Sequence, residues 1–405
     1  MTLVTGRQRS LVALLAVFLL LIGGSACATE QRQERSVAAR GEVVSVAPIL
    51  RMTTDDVTAY LAERTITTPV RNGVDVYRVV YRTVDPFGAD TTASGVVVLP
   101  RTESPTVRVV SYAHGTIVRK DEAPSADGEN DRARAILFAA TGYAAVAPDY
   151  LGLGEGPGTH PYAHVPTEAS ASVDLLRAAR AVAADEGRAL DPGVLVTGFS
   201  QGGQAAMALA ADLHRDPSSG FTPAAVAAVA GPYAIREVQT PAALDGRITP
   251  RTAALYMAYW ITAMNRVHHF YDDPAEAFLP PYDGRVEALF DGEHDIVAVA
   301  TSLPASPQQL LTPAYLDWAR EPSGAALRAM AESDAVCEWT PAVPVRLYAS
   351  QADRSVPAAN TEACLRTLGG DRAEAVDLGQ VDHGGSVLVA LPRILEWFGE
   401  IAAPL

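Results

Sequence analysis

The stretch that decides the fold is Val194-Leu195-Val196-Thr197-Gly198-Phe199-Ser200-Gln201-Gly202-Gly203. Its apolar first part predicts a strand, and the alanine-rich residues 204–211 that follow predict a helix. A strand, a Gly-x-Ser-x-Gly turn and a helix are typical of a nucleophile elbow, in which a serine projects its hydroxyl above the sheet. About 0.1 matches to the bare pattern arise by chance in a chain of this composition. The flanking strand and helix therefore carry the prediction, against the alternative of a glycine-rich turn with a bystander serine.

Ser200 needs two partners, because a serine hydroxyl is a weak nucleophile at neutral pH. A histidine must accept its proton, and a carboxylate must fix the tautomer of that histidine. The expected chain order is serine, acid, histidine. We expect His383 to be the base, because it lies in a predicted loop between the last strand and the last helix. A solvent-exposed loop histidine is the alternative.

The acid should follow the penultimate strand, which the apolar run Val343–Ala349 predicts. Asp353 occupies that place. Asp382 is the competing carboxylate, but a direct neighbour of His383 is badly placed to reach its Nδ1 while its Nε2 faces Ser200. We therefore assign Asp353 as the acid.

An oxyanion hole needs fixed donors, which on such a sheet are the amide after the nucleophile and an amide after the third strand. Gln201 supplies the first amide. The run Val107–Ala113 leads into His114-Gly115-Thr116, which nominates the Thr116 amide as the second. We expect His114 to be a structural residue that bonds this loop.

Strands and helices alternate along most of the chain, which predicts an α/β protein with a mostly parallel, doubly covered sheet and antiparallel strands at one edge. The folded domain should start near Ala47 and run over 47–405. Eight strands are predicted, at Val74–Val84, Thr92–Leu99, Val107–Ala113, Ala144–Pro148, Val194–Thr197, Ala225–Ala230, Val343–Ala349 and Ala373–Leu378.

Residues 236–337 interrupt this alternation, since no clear strand is predicted there and prolines divide the stretch into short helical pieces. An insertion between two core strands predicts a helical cap. Ordinary helical packing on the sheet edge is the alternative for some of its aromatic residues. We expect five of them to line an apolar pocket over Ser200: Tyr256, Tyr259, Trp260, Phe270 and Tyr271.

Composition argues against several functions. The 405 residues are 48% hydrophobic and carry a formal charge of −15 with Lys120 as the single lysine, so a large core is expected and nucleic-acid binding is not.

Residues 127–131 lack the ligand spacing of a known calcium loop. His160 and His164, split by Pro161, offer no zinc pattern. No metal and no cofactor are predicted.

The N-terminal residues predict export. Arg7 and Arg9 precede the apolar run 11–22, which is too short for a permanent membrane helix and is typical of a secretory signal over residues 1–26. The small residues before Cys27 resemble a bacterial lipobox, although Gly24 stands where leucine is usual. We favour a lipid anchor on Cys27 outside a bacterial membrane, with free secretion as the alternative. Residues 27–46 would form a tether.

The cysteine count agrees with export. Besides Cys27, only Cys337 and Cys364 occur. In an oxidising compartment they would form a disulfide that closes a loop of 28 residues and contributes about 3 to 4 kcal/mol. Two buried free thiols are the alternative.

Several of these motifs together resemble the secretory lipase family of α/β-hydrolases, which includes yeast A-type lipases and exported bacterial esterases. The resemblance runs from about Tyr77 to the C-terminus, is weakest in the cap, and implies an α/β-hydrolase fold, ester hydrolysis by a Ser-Asp-His triad, a cap-covered acyl pocket and no cofactor. It rests on His114-Gly115-Thr116, Pro148-Asp149-Tyr150-Leu151-Gly152-Leu153-Gly154, Gly198-Phe199-Ser200-Gln201-Gly202-Gly203, Asp353 and Asp382-His383.

The expected function is that of an exported serine carboxylesterase or lipase that forms an acyl-enzyme at Ser200 from an ester with an apolar acyl chain. An acyltransferase or a peptidase would use the same triad. An inactive binding protein of the same fold is the alternative from another class. The sequence leaves chain length, alcohol moiety and oligomeric state open.

Overall fold

The computed structural model describes residues 40–405. The predicted signal segment, Cys27 and the tether up to residue 39 lie outside the described residues. Within the described range, none of the helices combines the length and the apolar character that a bilayer crossing requires.

Residues 40–405 contain a single nine-stranded sheet at their centre, in the order β1-β2-β3-β5-β4-β6-β7-β8-β9. Strands β1, β2, β3 and β5 pair antiparallel, and all pairs from β5 to β9 are parallel. The strands are β1 (Val43–Met52), β2 (Val74–Val84), β3 (Asp90–Pro100), β4 (Thr106–Ala113), β5 (Ala144–Pro148), β6 (Ala189–Phe199), β7 (Thr222–Val229), β8 (Val345–Ala349) and β9 (Ala373–Asp377).

The sheet corrects two predictions. It has nine strands instead of eight, because β1 pairs with β2 at the antiparallel edge. Strand β1 also begins at Val43, so residues 43–46 belong to the sheet and not to the tether. As an edge strand with a mostly exposed face, β1 lacks the continuous apolar run that marks the inner strands.

Helices cover both faces of the sheet and fill the segment between β7 and β8. They are α1 (Thr54–Ala62), α2 (Glu129–Ala140), α3 (Val165–Asp185), α4 (Gln201–Arg215), α5 (Thr240–Asp245), α6 (Pro250–His268), α7 (Pro274–Ala277), α8 (Ile296–Ser302), α9 (Pro307–Leu310), α10 (Pro313–Arg320), α11 (Gly324–Asp334), α12 (Ala359–Thr367) and α13 (His383–Ile401).

Two apolar cores lie on the two faces of the sheet. Helices α3 and α4 pack on one face, and α1, α2 and α13 pack on the other. Because the inner parallel strands are buried on both faces, they read in the sequence as nearly continuous apolar runs.

The cap comprises α5 to α11 and has an apolar cluster of its own, which Phe278, Val286 and Leu310 help to fill at full burial. Val118 and Tyr162 from the core join this cluster, so cap and core share one apolar contact zone.

A disulfide joins Cys337, at the end of the cap, to Cys364 on α12, with a Cα–Cα distance of 5.3 Å. The bridged loop contains β8 and the turn that follows it. The predicted pairing is therefore present in the structure.

Candidate active site

The turn between β6 and α4 holds Ser200 in an unfavourable backbone conformation. Ser200 has φ +59° and ψ −123°, an unfavourable backbone region for a residue with a side chain. A Cβ on Gly198 would lie 2.1 Å from the carbonyl oxygen of Gly202, and a Cβ on Gly202 would lie 2.0 Å from that of Ala113. Both glycines are therefore required for strand, turn and helix to meet as they do.

Three predicted residues come together at the carboxyl ends of the strands. His383 Nε2 lies 2.8 Å from Ser200 Oγ, and His383 Nδ1 lies 2.6 Å from Asp353 Oδ2. The Asp353 side chain is fully buried and that of His383 is 16% exposed. This chain of contacts is the hydrogen-bond geometry of a nucleophile, a base and an orienting acid.

The surroundings of the two candidate carboxylates separate their roles. Asp353 Oδ1 accepts hydrogen bonds from the amides of Ser355 and Val356, at 2.8 and 2.9 Å, which leaves Oδ2 for the histidine. Asp382 instead caps the last helix, because its Oδ1 accepts from the Gly385 amide at 2.7 Å. The last helix therefore begins at His383, so His383 is its first residue and does not lie in a loop before it as predicted.

Of the two predicted oxyanion donors, Gln201 directly follows Ser200 and Thr116 directly follows Gly115, which lies against the serine. Among the hydrogen bonds of residues 40–405, none has the amide of Thr116 or of Gln201 as its donor, so both are free to bind an oxygen. A Cβ built on Gly115 would lie 3.5 Å from Ser200 Cβ, so the turn before Thr116 touches the serine.

His114 is fully buried beneath this turn, and both of its ring nitrogens contact backbone oxygens. Nδ1 lies 2.7 Å from the Gly115 oxygen and Nε2 lies 3.2 Å from that of Asp149. These contacts match the structural role expected of His114.

A buried polar network that the sequence analysis missed holds the side chain of Gln201. Its Nε2 donates to Glu168 Oε1 at 2.6 Å and to His160 Nε2 at 3.0 Å. His160 Nδ1 lies 2.9 Å from the Leu151 carbonyl oxygen, so Nδ1 carries the proton and Nε2 accepts. No motif links these residues, since they come from three separate segments.

Burial controls the charge of this network. It raises the pKa of Glu168 to about 7, against the opposing effect of the hydrogen bond from Gln201. It lowers the pKa of His160 to about 3, so this imidazole stays neutral. Glu168 Oε2 has no hydrogen-bond partner among the described residues.

A cavity opens from Ser200 into the cap. Among the described residues that line it, none is charged. Core residues Tyr162 and Ala163 form part of its wall, and most of the rest comes from apolar cap side chains, which include Ile248, Ala253, Tyr256, Met257, Trp260, Ile261, Tyr315, Trp318 and Met330.

Of the five aromatic residues predicted to line a pocket, Tyr256 and Trp260 do so. The predicted position of the other three is wrong, because Phe270 and Tyr271 pack within the cap and Tyr259 packs where the cap meets the core. Tyr259 stacks between Tyr162 and Phe290, with ring centroids 4.1 and 4.5 Å away. Phe270 packs on Trp260 and Trp318, and Tyr271 packs on Phe278 while its hydroxyl donates to Glu287.

The fold and the site together define a hydrolase. A sequence profile described as "Alpha/beta hydrolase family" matches residues 132–388, and the chain belongs to that family. A comparison with curated proteins finds no match.

Solved structures of known proteins share this architecture. The rice cell wall degrading esterase LipA from Xanthomonas oryzae is 27% identical, with a TM-score of 0.79 over 90% of this chain and 98% of that one. A protein of Legionella pneumophila classed as a hydrolase is 24% identical, with a TM-score of 0.82 over 89% of this chain and 98% of its own. Candida antarctica lipase A in its closed state is 14% identical, with a TM-score of 0.64 over 89% of this chain and 83% of that one. The last two, below 25% identity, show the fold alone.

Proposed function

We propose that this protein is a serine carboxylesterase or lipase that hydrolyses esters with apolar acyl chains. The observation that carries the proposal is the continuous contact chain from Ser200 Oγ through His383 to the buried Asp353. At its Ser200 end, this series of contacts borders a cavity that uncharged residues line. The likeness to an esterase that covers nearly all of this chain supports the same conclusion.

In the first half-reaction, Ser200 Oγ attacks the ester carbonyl carbon and passes its proton to His383 Nε2. The amides of Thr116 and Gln201 hold the resulting oxyanion. When the carbon–oxygen bond to the alcohol breaks, His383 returns the proton to the departing oxygen. Asp353 keeps the imidazole in the required tautomer and stabilises its charged form.

In the second half-reaction, water attacks the acyl group on Ser200 while His383 accepts a proton from that water. The same oxyanion donors act again, and the bond to Ser200 Oγ breaks as His383 returns the proton. The acid is released and the serine is free. The acyl chain occupies the cavity in both steps, where burial of each methylene contributes up to about 0.8 kcal/mol.

The experiment compares p-nitrophenyl butyrate with butyryl p-nitroanilide, which differ only in an ester or an amide bond. We expect fast ester turnover, little amide turnover, and loss of turnover and of fluorophosphonate labelling in Ser200→Ala. Ser218→Ala, at an exposed serine, is the matched control and should behave as the wild type. Full activity of Ser200→Ala would refute the mechanism, and amide turnover as fast as ester turnover would favour a peptidase. Added alcohols that capture most of the acyl group would favour an acyltransferase.

We also propose export with a lipid on Cys27. The disulfide between Cys337 and Cys364 supports an oxidising compartment, since stable disulfides are rare in the cytosol. Metabolic labelling with a palmitate analogue should mark the wild type and not Cys27→Ala. Labelling of neither form, with the protein in the medium, would favour free secretion.

A further inference from the structure

Three potential metal ligands from distant parts of the chain meet outside the triad: His164, His268 and Glu332. Glu332 Oε2 lies 3.4 Å from His268 Nε2 and 3.9 Å from His164 Nε2. One ligand atom from each residue falls within 4.8 Å of the other two. None of the three lines the cavity over Ser200.

The imidazole of His164 is already oriented for coordination. Its Nδ1 lies 3.0 Å from Thr167 Oγ1, and the hydroxyl of Thr167 donates its own proton to the His164 carbonyl oxygen. The proton of the ring is therefore on Nδ1, and the lone pair of Nε2 points into the cluster. A partner that fixes the far nitrogen in this way is the usual support of a metal-binding histidine.

His268 and Glu332 supply the other two ligand atoms. His268 Nε2 is buried and makes no hydrogen bond to any residue in the described range. The side chains of His268 and Glu332 are 20% and 40% exposed, so the cluster borders solvent at Glu332. Burial lowers the pKa of His268. The charge of Glu332 opposes this effect, and that of Arg328, one turn before Glu332, adds to it.

We propose that this cluster binds a transition-metal dication, with Zn²⁺ as the best match, and that the ion clamps the cap onto the core. Two imidazole nitrogens and one carboxylate oxygen suit Zn²⁺ and not Ca²⁺ or Mg²⁺, which prefer oxygen alone. Tetrahedral Zn²⁺ holds its ligand atoms about 3.4 Å apart. The contact of His268 with Glu332 has this separation, and His164 Nε2 needs to approach Glu332 Oε2 by about half an ångström.

The clamp follows from where the ligands sit. His164 immediately precedes core helix α3, His268 ends cap helix α6, and Glu332 lies near the end of cap helix α11. Each segment also contributes to the cavity wall, through Ala163, Trp260 and Met330. An ion at this site would therefore fix the three segments that enclose the acyl chain.

The test uses the full-length chain purified without a histidine tag and stripped of metal by a chelator. Calorimetric titration with Zn²⁺ should give one ion per chain, and Tm should rise. Co²⁺ should give the visible absorption of a four-coordinate ion. His268→Gln and Glu332→Gln should weaken Zn²⁺ binding by about 100-fold or more. The metal-free Tm of each variant checks that it folds.

His269→Gln is the matched control, since His269 is the next residue and its side chain is 84% exposed. It should bind Zn²⁺ as the wild type does. Hydrogen exchange should slow at the ends of α6 and α11 when Zn²⁺ is added to the wild type and to His269→Gln, but not to His268→Gln. Absence of stoichiometric binding, or equal binding by His268→Gln and the wild type, overturns the proposal. Neither result depends on ester turnover.

Discussion

The core and the cap of this protein build their parts of the site in different ways. In the core, Ser200, Asp353 and His383 each lie within a few residues after the end of a strand, and the sheet brings those strand ends to one edge. In the cap, the cavity wall comes from helices that have no common sheet to align them.

In the proposed mechanism, this difference places chemistry and selectivity under separate structural control. A Cβ on Gly198 or Gly202 would lie within 2.1 Å of a backbone oxygen, so the turn that positions Ser200 tolerates little change. The cavity wall requires only apolar side chains of suitable volume, so cap residues can change while the chemistry stays. Substitutions of core residues should therefore have larger effects than substitutions of cap residues.

Apart from substitution of Ser200, Asp353→Asn should have the largest effect on turnover. The amide cannot hold the required tautomer of His383, and kcat should fall on the order of 10⁴-fold, as in other enzymes with this triad. Steady-state kinetics on a short ester measure the change.

Asp382→Asn is the matched control for this substitution. Asparagine caps helices about as well as aspartate, so kcat should change by less than about tenfold. The opposite ranking of the two variants would place the acid at Asp382.

The next effect concerns the disulfide, which links the end of the cap to the core around Asp353. Replacing Cys337 and Cys364 together by serine should lower the free energy of unfolding by about 3 to 4 kcal/mol, because the loop gains freedom in the unfolded chain. Urea unfolding measures the difference. Wild-type protein in reductant should match the double variant, and an unchanged midpoint in reductant would contradict this role.

The short-range motifs of the core could be predicted from sequence because each is contiguous. The elbow around Ser200 and the acid position after β8 need only a strand, a turn and a known chain order. The start of the last helix at His383 was missed, because Gly384 and Gly385 obscure a helix that the Asp382 cap begins.

The cap and the second layer of the site could not be predicted in this way. Tyr259 and Trp260 are adjacent aromatic residues on one helix, yet Trp260 lines the cavity and Tyr259 stacks between Tyr162 of the core and Phe290 of the cap. The contacts of Gln201 with Glu168 and His160 join segments more than thirty residues apart. Composition and periodicity carry no information on such pairings.

A third prediction concerns pH and Glu168. Its folded pKa of about 7 lies above the unfolded value of 4.5, so the folded protein binds more protons in this interval and loses stability as pH rises through it. Glu168 should contribute a loss on the order of 3 kcal/mol in the wild type, and this contribution should be absent from Glu168→Gln. Urea unfolding of both proteins between pH 5 and 8 isolates this contribution, because that of His160 is common to both. A constant difference between them would show that Glu168 does not titrate as stated.

The smallest predicted effect is a loss of kcat/KM for long-chain esters only. Trp260→Ala should lower kcat/KM for octanoate esters by about tenfold and leave acetate esters nearly unchanged, because only the longer chain contacts the lost ring. Tyr271→Phe, at a cap aromatic outside the cavity wall, is the control and should alter neither. Equal losses for both esters in Trp260→Ala would mean that Trp260 packs the fold and does not select the chain.

The most direct test of the central claim is mass spectrometry of the enzyme quenched in acid during turnover of a slowly hydrolysed p-nitrophenyl ester. The mechanism predicts a mass increase of one acyl group, located on the peptide that contains Ser200, and more of it in Asp353→Asn if deacylation slows more than acylation. Ser200→Ala should carry none. An acyl group on another residue, or turnover in Ser200→Ala with no covalent species, would contradict the assignment of Ser200 as the nucleophile.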